Sequence, residues 1–502
     1  MCGIVVDFQA GAAEPDPEMG PRMLARVRAR GPDGSGSATV RGTWLGHTRL
    51  SIVDVVGGKQ PLRDVAGQHW LVCNGEIYNH EDLRRQLPRF FGTGSDSEAA
   101  LAVLDARGLA GIADLRGMFA FCIADDHGGL VAARDPVGIK PLYWARRGNR
   151  VLFASELGAF DAGWRADVEA FPPAHYWTSD TGLTRFAELE NDEPDYASRD
   201  EARAAVSTAL TDAVRRQLMS DDDVGVGVFL SGGLDSNLIA AVAAVSAREA
   251  GTRLHTFTAG VEGSPDLLAA RDVAAYLQTE HHERIYTAQE AIDALPEVVE
   301  SIESYEPSLV RSAVPNYLLA QLAVEHVKVV LTGEGADELF AGYDHLREIS
   351  DPDELRSELV RSVEGLHNLN LQRCDRVTMA HGLEARVPFL DLDMIHVAQR
   401  VPIAWKLPGA EGQEKRLLRE AFAGQLPPEF LSRPKAQFGD GSGTTAVMSE
   451  AAGQLAPDLD WRSARVSGLP RPRSREELGY QRIFASRLAG IHPSVLGRFA
   501  TG

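Results

Sequence analysis

The run Val228-Phe229-Leu230-Ser231-Gly232-Gly233-Leu234-Asp235-Ser236 decides how the second half of this chain folds. Apolar residues over Val224–Leu230 make a strand, the Ser-Gly-Gly turn follows, and Asn237–Arg248 continues as a small-residue helix. Two glycines and two serines at such a turn form a nest of backbone N–H groups, to which the helix N-terminus adds its positive end. The expected ligand is an anion held by Ser231, Gly232, Gly233, Leu234, Asp235 and Ser236. No lysine precedes the closing serine, so this is not the GxxxxGK[ST] loop. Ser-Gly-Gly alone would read as a plain turn; six residues in place between strand and helix are far more specific.

Working outward, the same pattern returns at Leu331-Thr332-Gly333-Glu334-Gly335-Ala336-Asp337-Glu338, again from strand (His326–Leu331) to helix (Asp337–Tyr343). Glu201–Met219 and Pro265–Leu277 read as helices and Leu254–Ala259 as a strand, while the chain from about Asp353 is mostly helical. Strands alternating with helices predict a parallel sheet covered on both faces. Asp235 and Asp337 together could hold Mg²⁺, which takes carboxylate, phosphate and water oxygens; Asp337 alone also reads as an acid on a helix N-terminus. Lys435, in Lys435-Ala436-Gln437-Phe438-Gly439, is a point charge that could neutralise phosphate or simply be solvated.

The first half, to about Trp177, is β-rich. Gly3–Phe8, Trp44–Leu45, Leu71–Cys73, Phe119–Ala124, Leu130–Ala133 and Val151–Ala154 are strand candidates, and Met19–Arg30 and Ser97–Ala106 have helical spacing. This predicts an α+β sandwich, joined to the parallel-sheet half through the acidic stretch Glu188–Asp200. The chain has 502 residues, and 51 basic against 71 acidic side chains give a net charge of −20, a poor field for nucleic acid or an anionic membrane. No apolar run is long enough to span a bilayer and no leader is visible, so a cytoplasmic protein is expected. The four cysteines, Cys2, Cys73, Cys122 and Cys374, are too far apart for a zinc pair. Lysines are only six: Lys59, Lys140, Lys328, Lys406, Lys415 and Lys435.

Removal of Met1 would leave Cys2 N-terminal, with a thiol nucleophile and an amine base of pKa ~7.7–8.0 on one carbon. Asn74-Gly75, after a strand, can aim an amide and a backbone N–H at an oxyanion, or can be a hairpin turn. Arg49 could grip a carboxylate and Asp96 an ammonium; taken singly, each reads as a surface charge. Together they offer a nucleophile, an oxyanion hole and clamps for both ends of an α-amino acid.

Met1-Cys2-Gly3-Ile4, Arg30-Gly31-Pro32-Asp33-Gly34, Arg49-Leu50-Ser51-Ile52, Asn74-Gly75-Glu76-Ile77-Tyr78-Asn79 and Ala133-Arg134-Asp135-Pro136 resemble the class II glutamine amidotransferase domain. With the Ser-Gly-Gly-Leu-Asp-Ser and Thr-Gly-Glu-Gly loops, Arg311-Ser312-Ala313-Val314-Pro315 and Glu384-Ala385-Arg386-Val387-Pro388-Phe389-Leu390-Asp391, the chain resembles the glutamine-hydrolysing asparagine synthetase family through both halves. Ala29, Asn237 and Ser308 depart from residues common in that family.

The resemblance implies an N-terminal-nucleophile αββα sandwich over residues 2–187 and an ATP pyrophosphatase-type α/β synthetase unit over 201–502, with a helical C-terminal part. It implies Cys2 as nucleophile, Asn74 and Gly75 as oxyanion hole, and glutamine contacts from Arg49, Leu50, Ser51, Ile52, Val53, Glu76 and Asp96. Phe229, Ala259, Thr332 and Gly333 would line the adenosine, Glu334 would assist adenylate formation or ammonia attack, and Lys435 would stabilise the pentavalent phosphorus. Arg311 would meet the phosphates or the acidic substrate. Glutamine, aspartate and ATP with Mg²⁺ are the expected reactants, joined by an ammonia tunnel in a homodimer. The alternatives are amidation of another carboxylate in a specialised pathway, or a silent glutamine- or nucleotide-binding protein.

Overall fold

The computed structural model describes residues 2–11, 13–189, 194–408, 412–434, 438–456 and 460–499, with the backbone alone at 438 and 449–454. The first half carries twelve strands: β1 (Cys2–Gln9), β2 (Gly34–Val40), β3 (Thr43–Arg49), β4 (Leu62–Arg63), β5 (His69–Ile77), β6 (Gly117–Asp125), β7 (Leu130–Arg134), β8 (Tyr143–Arg147), β9 (Arg150–Ala154), β10 (Val168–Ala170), β11 (His175–Thr178) and β12 (Gly182–Arg185). They form two antiparallel sheets, ordered β10-β8-β9-β1-β3-β2 and β12-β11-β7-β6-β5-β4. Alternation explains their facing: Ile4, Val6 and Phe8 of β1 join Val72, Ala120, Cys122 and Ala132 of the other sheet in one core, leaving Val5 to pack on the opposite face. Helices α1 (Met19–Arg26), α2 (His80–Gln86) and α3 (Glu98–Arg107) lie outside the sheets, completing the αββα sandwich. The helix expected over Met19–Arg30 ends at Arg26, and Arg28–Arg30 tightens into a 3₁₀ turn.

The second half is a parallel sheet of β13 (Val226–Phe229), β14 (His255–Gly260), β15 (Glu280–Ile285), β16 (Val329–Leu331) and β17 (Glu384–Arg386), ordered β15-β14-β13-β16-β17. Helices α4 (Arg199–Gln217), α5 (Leu234–Glu249), α6 (Pro265–Leu277), α7 (Ala288–Asp293), α8 (Leu295–Ile302), α9 (Pro307–Ala323), α10 (Ala336–Leu339), α11 (Pro352–Gly365) and α12 (Asn370–Met379) accompany it. Among the described residues, no helix is long and apolar enough to cross a membrane.

The halves do not keep separate cores. Leu50, Ile52, Met118, Val137 and Ile139 belong to the same buried cluster as Leu230, Leu331, Val387 and Phe389. Buried charge also crosses between them. Arg30, 1 % exposed, gives its guanidinium to Asp375 on α12 at 2.8 and 3.1 Å and to Glu156 at 2.9 Å. An ion this deep is stable only when paired and hydrogen-bonded, so these carboxylates are part of how the halves fit.

Candidate active sites and their family

Cys2 opens β1 in register with Arg49 of β3, and its backbone nitrogen donates to Asn74 Oδ1 at 3.1 Å. Its carbonyl accepts from Arg30 Nε at 3.0 Å. Burial pushes the Cys2 thiol up, and the Leu50 backbone N–H works against that. Asn74 and Gly75 sit late in β5, beside Ala120 and Phe119 of β6. Gly75 has φ +146°, and a Cβ there would lie 2.0 Å from the Met118 carbonyl oxygen, so no other residue fits without moving β6. The strands thus bring Cys2, Asn74 and Gly75 together by backbone register.

The segment after β3 wraps the same site. Arg49 donates to the carbonyls of Asp54 at 2.7 Å and Val55 at 2.8 Å, so in this structure its guanidinium shapes the 50–58 loop. Leu50, Ser51 and Ile52 are buried and Val53 is half-buried. Ser51 N donates to Asp33, which is held by Lys328 Nζ at 2.6 Å from the other half. Asp221, also from the other half, accepts from Asp54 N at 3.0 Å and Val55 N at 2.8 Å. Asp96 accepts from Ile77 N at 2.7 Å, and burial raises its pKa. Glu76 is raised further, by burial and by its neighbour Glu384. Glu384 keeps Arg386 Nε at 2.5 Å while Glu76 stands 3.9 Å from the same guanidinium.

In the second half, Gly233 opens α5 without a side-chain cap, leaving first-turn N–H groups for an anion. Gly232 has φ +71°, and a Cβ there would lie 2.5 Å from Ala269 of α6, so the turn packs flat against that helix. Ser231 and Ser236 hydroxyls stand 3.2 Å apart and tie the loop to itself. Arg433, which no sequence pattern marked, donates to Ser231 O at 2.9 Å and pairs with Asp266 at 2.8 Å. Phe229 ends β13, Ala259 is the last residue but one of β14, and Thr332 and Gly333 follow β16. At Gly333 a Cβ would come 2.9 Å from Asp235 Cβ, which is why the two loops can meet.

Asp235 and Asp337 converge, and the cation between them is Lys415, with Nζ at 2.5 and 2.7 Å. Burial works against that charge, but the two carboxylates more than reverse it and hold Lys415 protonated above the ordinary lysine range. Gly342 makes the room, since a Cβ there would meet Asp337 Oδ1 and Lys415 Cε. Two convergent carboxylates also suit Mg²⁺, a hard cation that takes oxygen ligands, so the residues fit the expected metal. Glu334 is half-buried, its pKa raised by desolvation and partly brought back by Arg373, with which it ion-pairs. Arg373 also donates to Ser312 at 2.8 Å. Arg311, expected at the phosphates, is bidentate to Glu476 at 2.9 and 2.6 Å. Lys435 lies outside the described residues.

A cysteine-led αββα sandwich fused to a parallel sheet with a Ser-Gly-Gly-Leu-Asp-Ser loop defines a class: enzymes that join a glutamine amidotransferase domain to an ATP-dependent synthetase. The description "Glutamine amidotransferase domain" matches residues 1–184, and "Asparagine synthase" matches 205–351 and 347–488. The chain belongs to the asparagine synthase family. Asparagine synthetase [glutamine-hydrolyzing] of Asparagus officinalis is 38 % identical over 510 residues, covering 96 % of this chain and 85 % of the relative. Asparagine synthetase B [glutamine-hydrolyzing] of Escherichia coli (strain K12) is 39 % identical over 480 residues, covering 91 % and 86 %. The probable asparagine synthetase of Schizosaccharomyces pombe is 38 % identical over 522 residues, covering 96 % and 93 %.

Proposed function

We propose that this chain makes asparagine from aspartate, glutamine and ATP, with residues 2–187 as the glutaminase and 201–502 as the synthetase. With Met1 removed, the Cys2 nitrogen is a free amine that takes the thiol proton as sulfur attacks the glutamine amide carbon. Asn74 and the Gly75 N–H receive the oxyanion, ammonia leaves, and water later cleaves the thioester. Arg49 and the 50–53 segment hold the glutamine carboxylate end, and Glu76 and Asp96 the ammonium end.

In the second site the Ser231–Ser236 loop cradles the leaving pyrophosphate, while Phe229, Ala259, Thr332 and Gly333 hold the adenosine. Asp235 and Asp337 would hold Mg²⁺, which neutralises phosphate charge when bound. The aspartate side-chain carboxylate attacks the α-phosphorus, pyrophosphate departs, and ammonia displaces AMP from the acyl-adenylate. Glu334, raised by burial, takes the proton from the attacking ammonia. Lys435 and Arg311 stabilise charge on phosphorus, Arg311 after leaving Glu476. The apolar cluster from Leu50 and Ile52 to Val387 and Phe389 offers a dry lane in which ammonia stays unprotonated. Cytoplasmic location and a homodimer complete the reading.

The observation that carries this reading is the convergence of Cys2, Asn74 and Gly75 in the same chain as the paired Ser231–Ser236 and Thr332–Asp337 loops. The test supplies MgATP and glutamine with a panel of carboxylates and reads pyrophosphate and amide. Release with aspartate, and not with glutamate or β-alanine, is expected. Silence with aspartate beside turnover of another acid would replace the acceptor.

A further inference from the structure

Strands β14 and β15 begin His255-Thr256-Phe257 and Glu280-His281-His282, paired in parallel with His255 beside Glu280 and Phe257 beside His282. Alternation puts these four side chains on one face of the sheet. Next to them on β13, in register with His255, is Gly227, where a Cβ would come 2.6 Å from the Phe257 ring. The buried Phe257 ring therefore lies over Gly227 and floors the face beside His255. The turn between α9 and β16 brings a third imidazole, His326, over it, with ring centroids 3.9 Å from His282.

The donor atoms are close. His255 Nδ1 and His282 Nε2 are 3.1 Å apart, and Glu280 Oε1 is 3.9 Å from the first and 3.8 Å from the second. One nitrogen from each of His255, His282 and His326 lies within 4.8 Å of the others. Tetrahedral Zn²⁺ with bonds of ~2.0–2.1 Å sets neighbouring donors ~3.3–3.4 Å apart, a spacing that falls between these distances. His255 and His282 are only 27 % and 16 % exposed, so their rotamers are held, whereas exposed His326 can turn its ring from the stack toward the ion. Among the described residues this is the sole grouping of three such ligands within that reach.

We propose that His255, His282 and His326, with Glu280 as the adjoining carboxylate, bind one divalent transition-metal ion of the Zn²⁺ type. Imidazole ligands select Zn²⁺, Ni²⁺, Cu²⁺ or Co²⁺ over Mg²⁺ and Ca²⁺, so the site does not compete for the ion of the ATP loops. It sits at the start of the strands, whereas both anion loops follow the strand ends. Its role is structural. It ties edge strand β15, whose Glu-His-His-Glu-Arg-Ile sequence buries little apolar surface, to β14 and to the turn before β16.

The experiment uses the full chain, stripped with a chelator and titrated with Zn²⁺, and with Co²⁺ to read visible d–d bands. A parallel Cys2→Ala chain removes the catalytic thiol as a competing ligand. One ion per chain in both, with a raised thermal midpoint, is expected. His282→Ala and His326→Ala should each weaken binding about tenfold or more, with ammonia-dependent synthesis by the folded variants unchanged. Because His326 is exposed, its variant keeps the test open if His282→Ala does not fold. Absence of Co²⁺ d–d bands, affinity unchanged in His326→Ala, or binding lost in Cys2→Ala would each overturn the proposal.

Discussion

Around Cys2 the positions are set by strand pairing and backbone atoms: the Asn74 amide on the Cys2 nitrogen, and Gly75 pressed on the Met118 carbonyl. Around Asp235 they are set by ion pairs: Lys415 between two aspartates, Arg373 on Glu334, Arg311 on Glu476. The first arrangement can take a neutral amide without exchanging any partner. The second stores each charge against an internal counter-charge and, under the proposed function, would trade partners when a triphosphate and its cation arrive. Preorganised dipoles cost no reorganisation at the moment of reaction; traded ion pairs do, and in return keep a half-buried acidic cluster neutralised while the site waits.

Four changes would break or sharpen that contrast. Cys2→Ala should lower glutamine-dependent synthesis by more than about 10³-fold, with ammonia-dependent synthesis within about twofold, read by asparagine formation from each nitrogen source. Survival of the glutamine reaction would remove the nucleophile assignment. Glu334→Gln should cut ammonia-dependent product by about 10²–10³-fold while glutaminase activity persists. A normal rate would leave Arg373 and Glu334 as a structural pair. Lys415→Met should destabilise the ligand-free protein by about 1–3 kcal/mol, since removing the buried lysine strands two half-buried carboxylates, and MgATP should recover much of the lost thermal midpoint. A midpoint that does not respond to MgATP would mean the aspartates do not trade partners. Asp221→Ala removes two acceptors from the 50–58 loop and should raise the KM for glutamine about tenfold, leaving the KM for ammonia unchanged. If both shift together, Asp221 serves the synthetase rather than the loop.

Motif-bearing parts of both sites were legible because each is a local string: Ser231–Ser236 and Thr332–Asp337 lie at the strand ends their composition predicts, whereas Asn74-Gly75, expected after a strand ending at Cys73, lies inside β5, which pairing with β6 carries on to Ile77. Strand β15 was not legible, because its sequence lacks alternation and its pairing with β14 supplies what its own residues do not. Helix α9 was obscured by Pro307 and Pro315; the first fits a helix start, where no N–H partner is needed, and the second is carried inside by burial against its neighbours. The residues that fasten the sites, Arg30, Asp221, Asp375, Arg433 and Lys415, find partners more than a hundred positions away. No local pattern announces such pairs. The scarcity of lysine was the available signal: Lys328 and Lys415, two of the six, fasten the two sites, and Lys140, another, is buried 3.7 Å from Asp375.

The Arg30 bridge also has a meaning in time. The carboxylate that completes the grip on the Cys2 strand is Asp375, 345 positions beyond Arg30. At ~5–20 residues per second that is a delay of roughly 20–70 s. Until then the guanidinium bonded to the Cys2 carbonyl has Glu156 as its carboxylate partner but not Asp375. The order of synthesis thus leaves the strand that carries Cys2 without one of its buried ion-pair partners until the second half has been made.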